Sequence, residues 1–389
     1  MDFQLTEEQR EIQQMARTFA EKEIVPVARE LDKAATFSVD LTRKMGEMGF
    51  LGMLVPEGYG GIGADTLSYC LALEEITRAD LAQSMTMSLH NSLVAYPLLA
   101  YGSEEIKKNY LTPMAKGTKL GAFALTEPCA GSDAGSLETT AHKENDSYRL
   151  NGTKIFCTNG SVADFIVVFA NIDKSLGKKG ITAFLVETSS PGFQVVREEE
   201  KMGAHASPTA QLLFENCKVP DTHRLGPEGK GMRIALETLD GGRIGIGAQG
   251  VGLARGAFLA ALRYSQERKQ FGKSISEFQA IQFMLADMSI DVEASTLLVH
   301  RAACLKDRGL PYILEAAQCK VFATEAATRV ADRALQVFGG YGYLKDYPVE
   351  KYYREARVTQ LYEGTSEIQR MVIAQMLIRS LEGASEGTK

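Results

Sequence analysis

Hydrophobic residues recur with helical spacing from the start of the chain. The segment Thr6-Glu7-Glu8-Gln9 has the form of a capping box, in which the side chains of the first and last residues satisfy backbone N–H groups at a helix start. Apolar residues then follow at i, i+3, i+4 and i+7, at Ile12, Met15, Ala16 and Phe19. The same spacing predicts three further helices before residue 120, over Asp40–Met48, Asp65–Arg78 and Ser103–Ala115.

The pattern changes to short β-rich runs between about Leu120 and Pro220. The dipeptide Asn151-Gly152 lies between two such runs and predicts a tight hairpin turn, because both central residues of that turn need positive φ. No helix of ten residues interrupts the region, so a parallel βαβ sheet is not expected. The clearest runs, rich in β-branched and aromatic residues, are Gly121–Leu125, Phe165–Ala170, Ile181–Val186 and Ala210–Phe214.

Helical spacing returns after Gly231. Ser276–Gln279 has the form of a second capping box, Pro311 suits the first turn of a helix, and Gly339-Gly340 would end that helix. We therefore predict an α+β multidomain fold, with an N-terminal helical domain over 1–120, a middle β domain over 121–232 and a C-terminal four-helix bundle over 233–389. Binding sites are expected at the seams between domains.

Composition and charge narrow the function. The 389 residues carry a net charge of −6, and Lys and Arg are spread without basic runs, so a nucleic-acid partner is not expected. The longest apolar stretches, such as Phe165–Ala170 and Leu93–Ala100, fall short of the roughly 20 residues that span a membrane. The acidic N-terminus lacks the features of a signal or transit peptide. We expect a cytoplasmic bacterial protein with a small-molecule substrate.

Cysteine and histidine residues form no ligand motif. The six cysteines lack C-x-x-C spacing, and the five histidines lack an H-E-x-x-H arrangement. We therefore expect reduced thiols and no metal site.

Gly245–Gly250 matches the dinucleotide-binding pattern G-x-G-x-x-G letter for letter. That pattern requires a strand immediately before it, whereas Met232–Leu239 has helical character. The favoured interpretation is a stripe of small residues that lets a helix pack closely, because close packing can offset the loss of helix stability at glycine. A nicotinamide dehydrogenase is retained as an alternative.

The segment Ala124–Gly135, ALTEPCAGSDAG, ends a predicted strand in a loop rich in Gly, Ser and Thr. Such loops expose backbone N–H groups and hydroxyls that can bind a phosphate or the edge of a flavin, although an ordinary polar turn has the same composition. Residue types alone leave both interpretations open.

This segment, together with Tyr362–Arg370, YEGTSEIQR, resembles the two signatures of the acyl-CoA dehydrogenase family. The resemblance extends over essentially the whole chain, including Asn151–Lys154, Glu267–Gly272 and Gln336–Gly342, and is greatest to the short-chain (butyryl-CoA) branch. It implies the helix, sheet, helix order predicted above, an FAD cofactor, an acyl-CoA substrate, and electron-transferring flavoprotein as the acceptor of electrons.

The resemblance also implies which residues bind FAD. The stretch Phe123–Ser132 should line the flavin, with Thr126 bonded to its ring, and Thr158 should lie near N5. Phe156 stands where many relatives have Trp, so stacking should persist with a different ring coverage. Arg268, Gln279 and Gln336–Gly340 match positions that reach the FAD of a neighbouring subunit, which implies a homotetramer built as a dimer of dimers. The full set of expected FAD-binding residues is Phe123, Leu125, Thr126, Gly131, Ser132, Phe156, Thr158, Arg268, Phe271, Gln279, Gln336, Gly339, Gly340, Thr365 and Glu367.

Glu363 matches the family's catalytic base. A thioester α-C–H is weakly acidic, so the reaction needs a well-placed carboxylate and stabilisation of the developing enolate oxygen. By resemblance, the backbone N–H of Glu363 and a ribityl hydroxyl of the flavin supply that stabilisation, and exclusion of water should raise the pKa of Glu363. Some relatives carry the base at the position of Gly242, which has no side chain here.

Other matches concern the substrate. Gln249 and Thr359 match residues that close the acyl pocket in the short-chain branch, which implies a preference for about C4 chains, since a closed floor penalises extra methylenes. Ser84 stands where dicarboxylate-specific relatives have Arg. The expected substrate-binding residues are Ser132, Asp240, Arg243, Gln249, Thr359, Tyr362 and Gly364.

Two further alternatives share the fold. An acyl-CoA oxidase would use O₂ as the acceptor, although the chain lacks the additional C-terminal domain of many oxidases. A non-catalytic acyl-CoA-binding protein would be colourless on purification. Branched, alicyclic or aromatic acyl groups and the reductive direction also stay open.

Overall fold

The computed structural model describes residues 3–386 and, for side chains, residues 3–381. Helices occupy the first and last parts of this chain, and a sheet lies between them. The N-terminal helices are α1 (Glu7–Phe19), α2 (Val25–Ala34), α3 (Val39–Glu47), α4 (Thr66–Ala79), α5 (Leu81–Ser88), α6 (Ala95–Tyr101), α7 (Glu104–Ile106) and α8 (Thr112–Ala115). The sheet strands are β1 (Gly121–Ala124), β2 (Thr140–Glu144), β3 (Ser147–Thr158), β4 (Phe165–Asn171), β5 (Ile181–Glu187), β6 (Phe193–Glu198), β7 (Thr209–Pro220) and β8 (Arg224–Leu225). The C-terminal elements are α9 (Gly231–Glu267), a short hairpin of β9 (Lys269–Gln270) and β10 (Lys273–Ser274), α10 (Gln279–Asp307), α11 (Ile313–Phe338), α12 (Val349–Thr359) and α13 (Ser366–Glu386).

The N-terminal helices begin as the sequence predicts. The Thr6 side chain accepts a hydrogen bond from the backbone N–H of Gln9, and the Gln9 side chain accepts one from the N–H of Thr6, so the capping box is confirmed. Three π-helical turns interrupt the helices, and helical spacing does not reveal such insertions. They lie at Ala20–Ile24, Leu89–Val94 and Lys107–Leu111.

The sheet has the order β6-β7-β3-β2-β4-β5-β8, and β1 pairs with β4. Its neighbours are antiparallel except that β4 runs parallel to β1 and makes one parallel pair with β2. The β1–β4 pairing brings the segment after β1 to the side of the sheet that meets the helices, where residues of α6, β1, β4 and α9 share one hydrophobic core.

The predicted hairpin at Asn151-Gly152 is wrong. Both residues lie inside the single strand β3, at a register shift against β7, and the true turn between β2 and β3 is formed by Asn145, with φ 54°, and Asp146. Glycine is required at 152 because a β-carbon there would lie 2.4 Å from the Thr139 hydroxyl. The Asn-Gly signal therefore marks a close approach within a strand.

Helix α9 forms the centre of the C-terminal bundle and contains Gly245–Gly250. The dinucleotide-binding interpretation is therefore wrong, and the close-packing interpretation is confirmed. A β-carbon at Gly245 would lie 2.7 Å from the Tyr69 hydroxyl, and one at Gly250 would lie 2.8 Å from the backbone of Ala323. Helix α9 has the length and apolar composition of a membrane-spanning helix. However, 78% of its most hydrophobic 18-residue segment is buried in the protein, as in the core helix of a folded domain.

Two predicted helix boundaries need correction. The second capping box joins Ser274 to Glu277, so Ser276–Gln279 is wrong by two residues. Pro311 precedes the first turn of α11, since Ile313 begins that helix, whereas its predicted end at Gly339, with φ 61°, is confirmed. Helix α13 begins at Ser366, where the Thr365 hydroxyl accepts from the N–H of Ile368 and the Gln369 amide donates backwards to the carbonyls of Glu363 and Gly364.

Candidate active site

Glu363 lies in the loop of residues 360–365 that joins α12 to α13, which we call the Glu363 loop. Its backbone has φ 51° and is followed by Gly364 at φ 88°. The residue as a whole keeps some exposure, but its Oε2 atom is buried and has no hydrogen-bond partner among the described residues. The absence of a side chain at Gly242 makes this position possible, because a β-carbon there would lie 2.2 Å from Oε2.

The surroundings of Glu363 favour its neutral form. Burial raises the pKa of Glu363 to about 7, against the opposing effects of the nearby Lys320 and Arg243 cations. The sequence-based expectation of a raised pKa is thus confirmed. A carboxyl group with this pKa can exchange a proton near neutrality, which is the property required of a general base.

Polar side chains close the region behind Glu363. The Tyr362 hydroxyl donates to Oε1 of Gln249 at 2.5 Å, and Nε2 of Gln249 donates to the Ser84 hydroxyl at 3.1 Å. Gln249 and Ser84 are fully buried. Thr359 is also buried and donates to the carbonyl of Ala356 at 2.7 Å. The bonds of Gln249 to Tyr362 and to Ser84 form a continuous chain from the Glu363 loop through α9 to α5.

The Asp240–Arg243 pair lies on α9, shortly before Gly245. The Arg243 guanidinium donates to Asp240 at 2.6 Å and is only 5% exposed, and its Nε atom has no partner among the described residues. Burial raises the pKa of Asp240 above its ordinary value despite the Arg243 charge. Arg243 therefore keeps an unused donor, and its charge acts on the Glu363 carboxylate.

Residues 124–135, which we call the 124–135 loop, are fixed by a buried ion pair. Nζ of Lys154 on β3 donates to Glu127 at 2.7 Å and to the carbonyl of Leu125 at 3.1 Å. The Glu127 carboxylate also accepts from the N–H groups of Glu138 and Thr139, at 2.6 and 3.1 Å. Both side chains are buried, and neither was identified as functional from the sequence, although each lies within a quoted motif.

The expected flavin-binding residues of the sheet share one neighbourhood. The carbonyl of Thr126 accepts from the N–H of Ile155, which joins the 124–135 loop to β3 one residue before Phe156. Phe156 has φ 54°, and its ring is 62% exposed. Phe123 and Leu125 are nearly buried, Thr126 and Thr158 are half-buried, and Gly131 and Ser132 are exposed. An aromatic face is thus presented beside a loop of hydroxyls and N–H groups.

A second cluster gathers Arg268, Gly339 and Gly340 around a cavity of about 520 Å³. The Arg268 guanidinium lies 5.2 Å from the centre of the Tyr341 ring, which also lines the cavity. Glu363 and the 124–135 loop are not among the residues described around it. Five other predicted residues lie at exposed positions or in a cap: Phe271 (93% exposed), Gln279, Gln336 and Glu367 are exposed, and Thr365 caps α13.

Lys320 of α11 is the residue that sequence reasoning missed next to Glu363. It is fully buried and donates from Nζ to the carbonyl of Gly364 at 2.5 Å. Its only sequence signal is a lysine among alanines on the apolar face of a helix.

Three domain models of one family match the chain. They are the acyl-CoA dehydrogenase N-terminal domain over residues 6–118, the middle domain over 122–217 and the C-terminal domain over 229–378.

Groups of three or more His, Cys, Asp or Glu side chains that could hold a metal ion are absent from the described residues.

Individual relatives match at full length. The short-chain specific acyl-CoA dehydrogenase of Clostridium acetobutylicum is 48% identical over 97% of this chain and 100% of its own. The structure of butyryl-CoA dehydrogenase from Megasphaera elsdenii superposes with a TM-score of 0.95 at 46% identity, covering 97% of this chain and 100% of that one. A chain solved in work on the electron transferring flavoprotein of Acidaminococcus fermentans gives a TM-score of 0.96 at 53% identity, with the same two coverages. The chain belongs to the acyl-CoA dehydrogenase family.

Proposed function

We propose that this FAD-dependent acyl-CoA dehydrogenase oxidises a short-chain acyl-CoA to the trans-2-enoyl-CoA, with Glu363 as the base that removes the α-proton. One observation carries the assignment of the base. Oε2 of Glu363 is buried, lacks a partner among the described residues, and belongs to a carboxyl group whose pKa burial raises to about 7. A paired surface carboxylate would have neither property.

Proton removal must be accompanied by stabilisation of the thioester oxygen as it gains negative charge. The backbone N–H of Glu363 finds no acceptor among the described residues, so it is available to donate to that oxygen. Glu363 lies beyond the end of α12 at Thr359, so its N–H is outside the hydrogen-bond pattern of that helix. Base and donor then come from one residue.

The residues assigned to FAD fit an extended cofactor with a planar ring and a pyrophosphate. The exposed ring of Phe156 can stack on the flavin, and Thr126, Ser132 and Thr158 offer hydroxyl groups beside it. Arg268 lies next to two glycines at the cavity of about 520 Å³, where a guanidinium and an open backbone suit a phosphate. When bound, FAD supplies the N5 atom that accepts the substrate's β-hydride.

The polar chain Tyr362–Gln249–Ser84 supports a short acyl pocket. Gln249 uses both ends of its amide, so a longer acyl chain could displace it only by breaking two buried hydrogen bonds. Thr359 is likewise buried and bonded. We expect a kcat/KM optimum near C4 when C4, C8 and C16 acyl-CoA are compared, whereas an optimum at C16 would refute the short pocket.

We also propose a homotetramer that passes electrons to electron-transferring flavoprotein in the bacterial cytoplasm. Helix α10 supports the assembly, because Phe283, Ile290 and Leu297 recur at seven-residue spacing and are 61%, 67% and 50% exposed. Apolar residues at that spacing form a stripe suited to another helix. The position of Arg268 and Gly339 in a cavity of their own supports completion of the FAD site by two subunits.

The function is tested by anaerobic titration of the purified yellow protein with butyryl-CoA while flavin absorbance is followed. Wild type should bleach, and Glu363→Gln should not, because the amide cannot accept the α-proton. Glu47→Gln, which neutralises an exposed carboxylate on α3, serves as the control and should bleach like wild type. Full bleaching of Glu363→Gln would contradict the assignment of the base, and a protein that does not take up FAD would contradict the proposal as a whole.

A further inference from the structure

Lys320 is buried without a carboxylate partner. Its side chain has no solvent exposure, and its Nζ donates to the carbonyl of Gly364, one residue after Glu363. No carboxylate of the described residues lies within ion-pair distance of this ammonium. A buried cation with a neutral acceptor destabilises a fold unless a nearby negative charge compensates it.

Glu363 is the group that can supply this compensation. Burial lowers the pKa of Lys320 to about 8, and the negative charge of Glu363 opposes that shift. In return, Lys320 is the larger of the two cationic influences that oppose the rise in the pKa of Glu363. The two groups thus stabilise each other's charged forms without a direct hydrogen bond, which leaves Oε2 free to act on a substrate.

Other ionisable groups face this pair from the neighbouring helices. Arg243 of α9 lies near both groups, but its charge is shared with Asp240 at 2.6 Å. Tyr69 of α4 and Tyr362 of the loop are neutral, because burial raises the pKa of each phenol. Glu367, on the first turn of α13, is exposed. Lys320 is therefore the one cation described here that faces Glu363 without a carboxylate bound to it.

We propose that Lys320 is a positioning residue for the base, which holds the Gly364 carbonyl in place and favours the ionised form of the Glu363 carboxylate. The inference rests on Glu363 being the base, as proposed above. Gln369 provides a natural comparison, because its Nε2 donates to the carbonyls of Glu363 and Gly364 at 3.3 and 3.1 Å. It supports the same backbone without a charge.

The experiment measures the rate of anaerobic flavin reduction by butyryl-CoA from pH 5.5 to 9 in flavin-loaded variants. The wild-type rate should rise with pH as Glu363 ionises. Lys320→Gln removes the charge but keeps a donor for Gly364, and it should move the midpoint of that rise upward by about one pH unit. Lys320→Arg keeps the charge and should restore a midpoint close to wild type. Gln369→Met should lower the rate at every pH without moving the midpoint.

The outcomes separate a positioning role from a merely structural one. Should Lys320→Gln fail to fold, Lys320→Met replaces it, since apolar residues of similar volume often substitute for buried charges. An unchanged midpoint in the neutral variants, even with a lower melting temperature, would overturn the inference. Glu363→Gln is measured in parallel. If it still reduces flavin, the proposed base is wrong; if it is inactive while the Lys320 variants titrate like wild type, only the role of Lys320 is wrong.

Discussion

Lys154 and Lys320 are both fully buried lysines, and burial lowers the pKa of each to about 8. Lys154 bonds Glu127 directly, and that carboxylate also accepts two backbone N–H groups. Lys320 bonds only a carbonyl, and the nearby Glu363 has an unbonded oxygen. The difference indicates that the hydrogen-bonded Lys154–Glu127 pair, which we call the closed pair, fixes the backbone. The unbonded Lys320 and Glu363, which we call the open site, leave a carboxylate able to react.

Breaking the closed pair should have the largest effect. Lys154→Met leaves Glu127 buried without its cation, and removing one partner of such a pair costs about 3–5 kcal/mol of unfolding free energy. Urea unfolding and flavin content after purification measure the result. The double variant Lys154→Met/Glu127→Gln should recover much of the stability, and failure to recover any would argue against the pair as the cause.

Removing the charge of Glu363 at the open site should instead stabilise the protein. The folded-state pKa of Glu363 is about 7 and its ordinary value is 4.5, so between these values the folded protein holds a proton that the unfolded chain releases. Stability should therefore fall as pH rises through this window. Glu363→Gln removes this loss and should be more stable than wild type by about 3 kcal/mol at pH 8, with little difference at pH 4.5. Urea unfolding at both pH values tests the prediction, and equal stabilities at pH 8 would contradict it.

Adding a side chain at Gly242, next to the open site, should reduce the rate of flavin reduction without unfolding the protein. Gly242→Ala places a β-carbon where Oε2 of Glu363 now lies, so the carboxylate must move and the rate of flavin reduction should fall by about 100-fold. Gly58→Ala is the control, because no atom lies within 4 Å of its added β-carbon. Similar rates in the two variants would show that the position of Oε2 is not critical.

The smallest effect is expected at Gln249, which we propose closes the acyl pocket. Gln249→Ala removes the amide that joins Tyr362 to Ser84 and opens space behind the Glu363 loop. Relative to C4, kcat/KM for C8 acyl-CoA should rise by about 10-fold, the scale expected for one or two methylenes in an apolar pocket. Ser84→Ala, which removes one bond and little volume, should change this ratio less.

Sequence reasoning succeeded where the signal was local or carried by the family resemblance. The Thr6 capping box, the end of α11 at Gly339 and the helical nature of Gly245–Gly250 depend on neighbouring residues, and the structure confirms them. The family and the three-part fold are confirmed as well. The individual FAD and substrate contacts stay predictions.

The failures have a common physical origin. Asn151-Gly152 has the local chemistry of a turn, but pairing with β7 holds it inside a strand. Lys320 acts across 44 residues of sequence, on a carbonyl whose position depends on the packing of α11 against α13. A lysine on the apolar face of a helix marks an unusual position but does not identify its partner, and nothing near Asn151-Gly152 indicates pairing with β7, so neither contact could be read from one sequence.

The glycine at 242 constrains how this enzyme could evolve. A β-carbon there would lie 2.2 Å from Oε2 of Glu363, so the carboxylate must shift before any side chain can occupy position 242. A base reaching the reaction centre from 242 would therefore compete with the Glu363 carboxylate for the same space. We expect a relative that carries its base at the position of 242 to have a smaller residue at the position of 363.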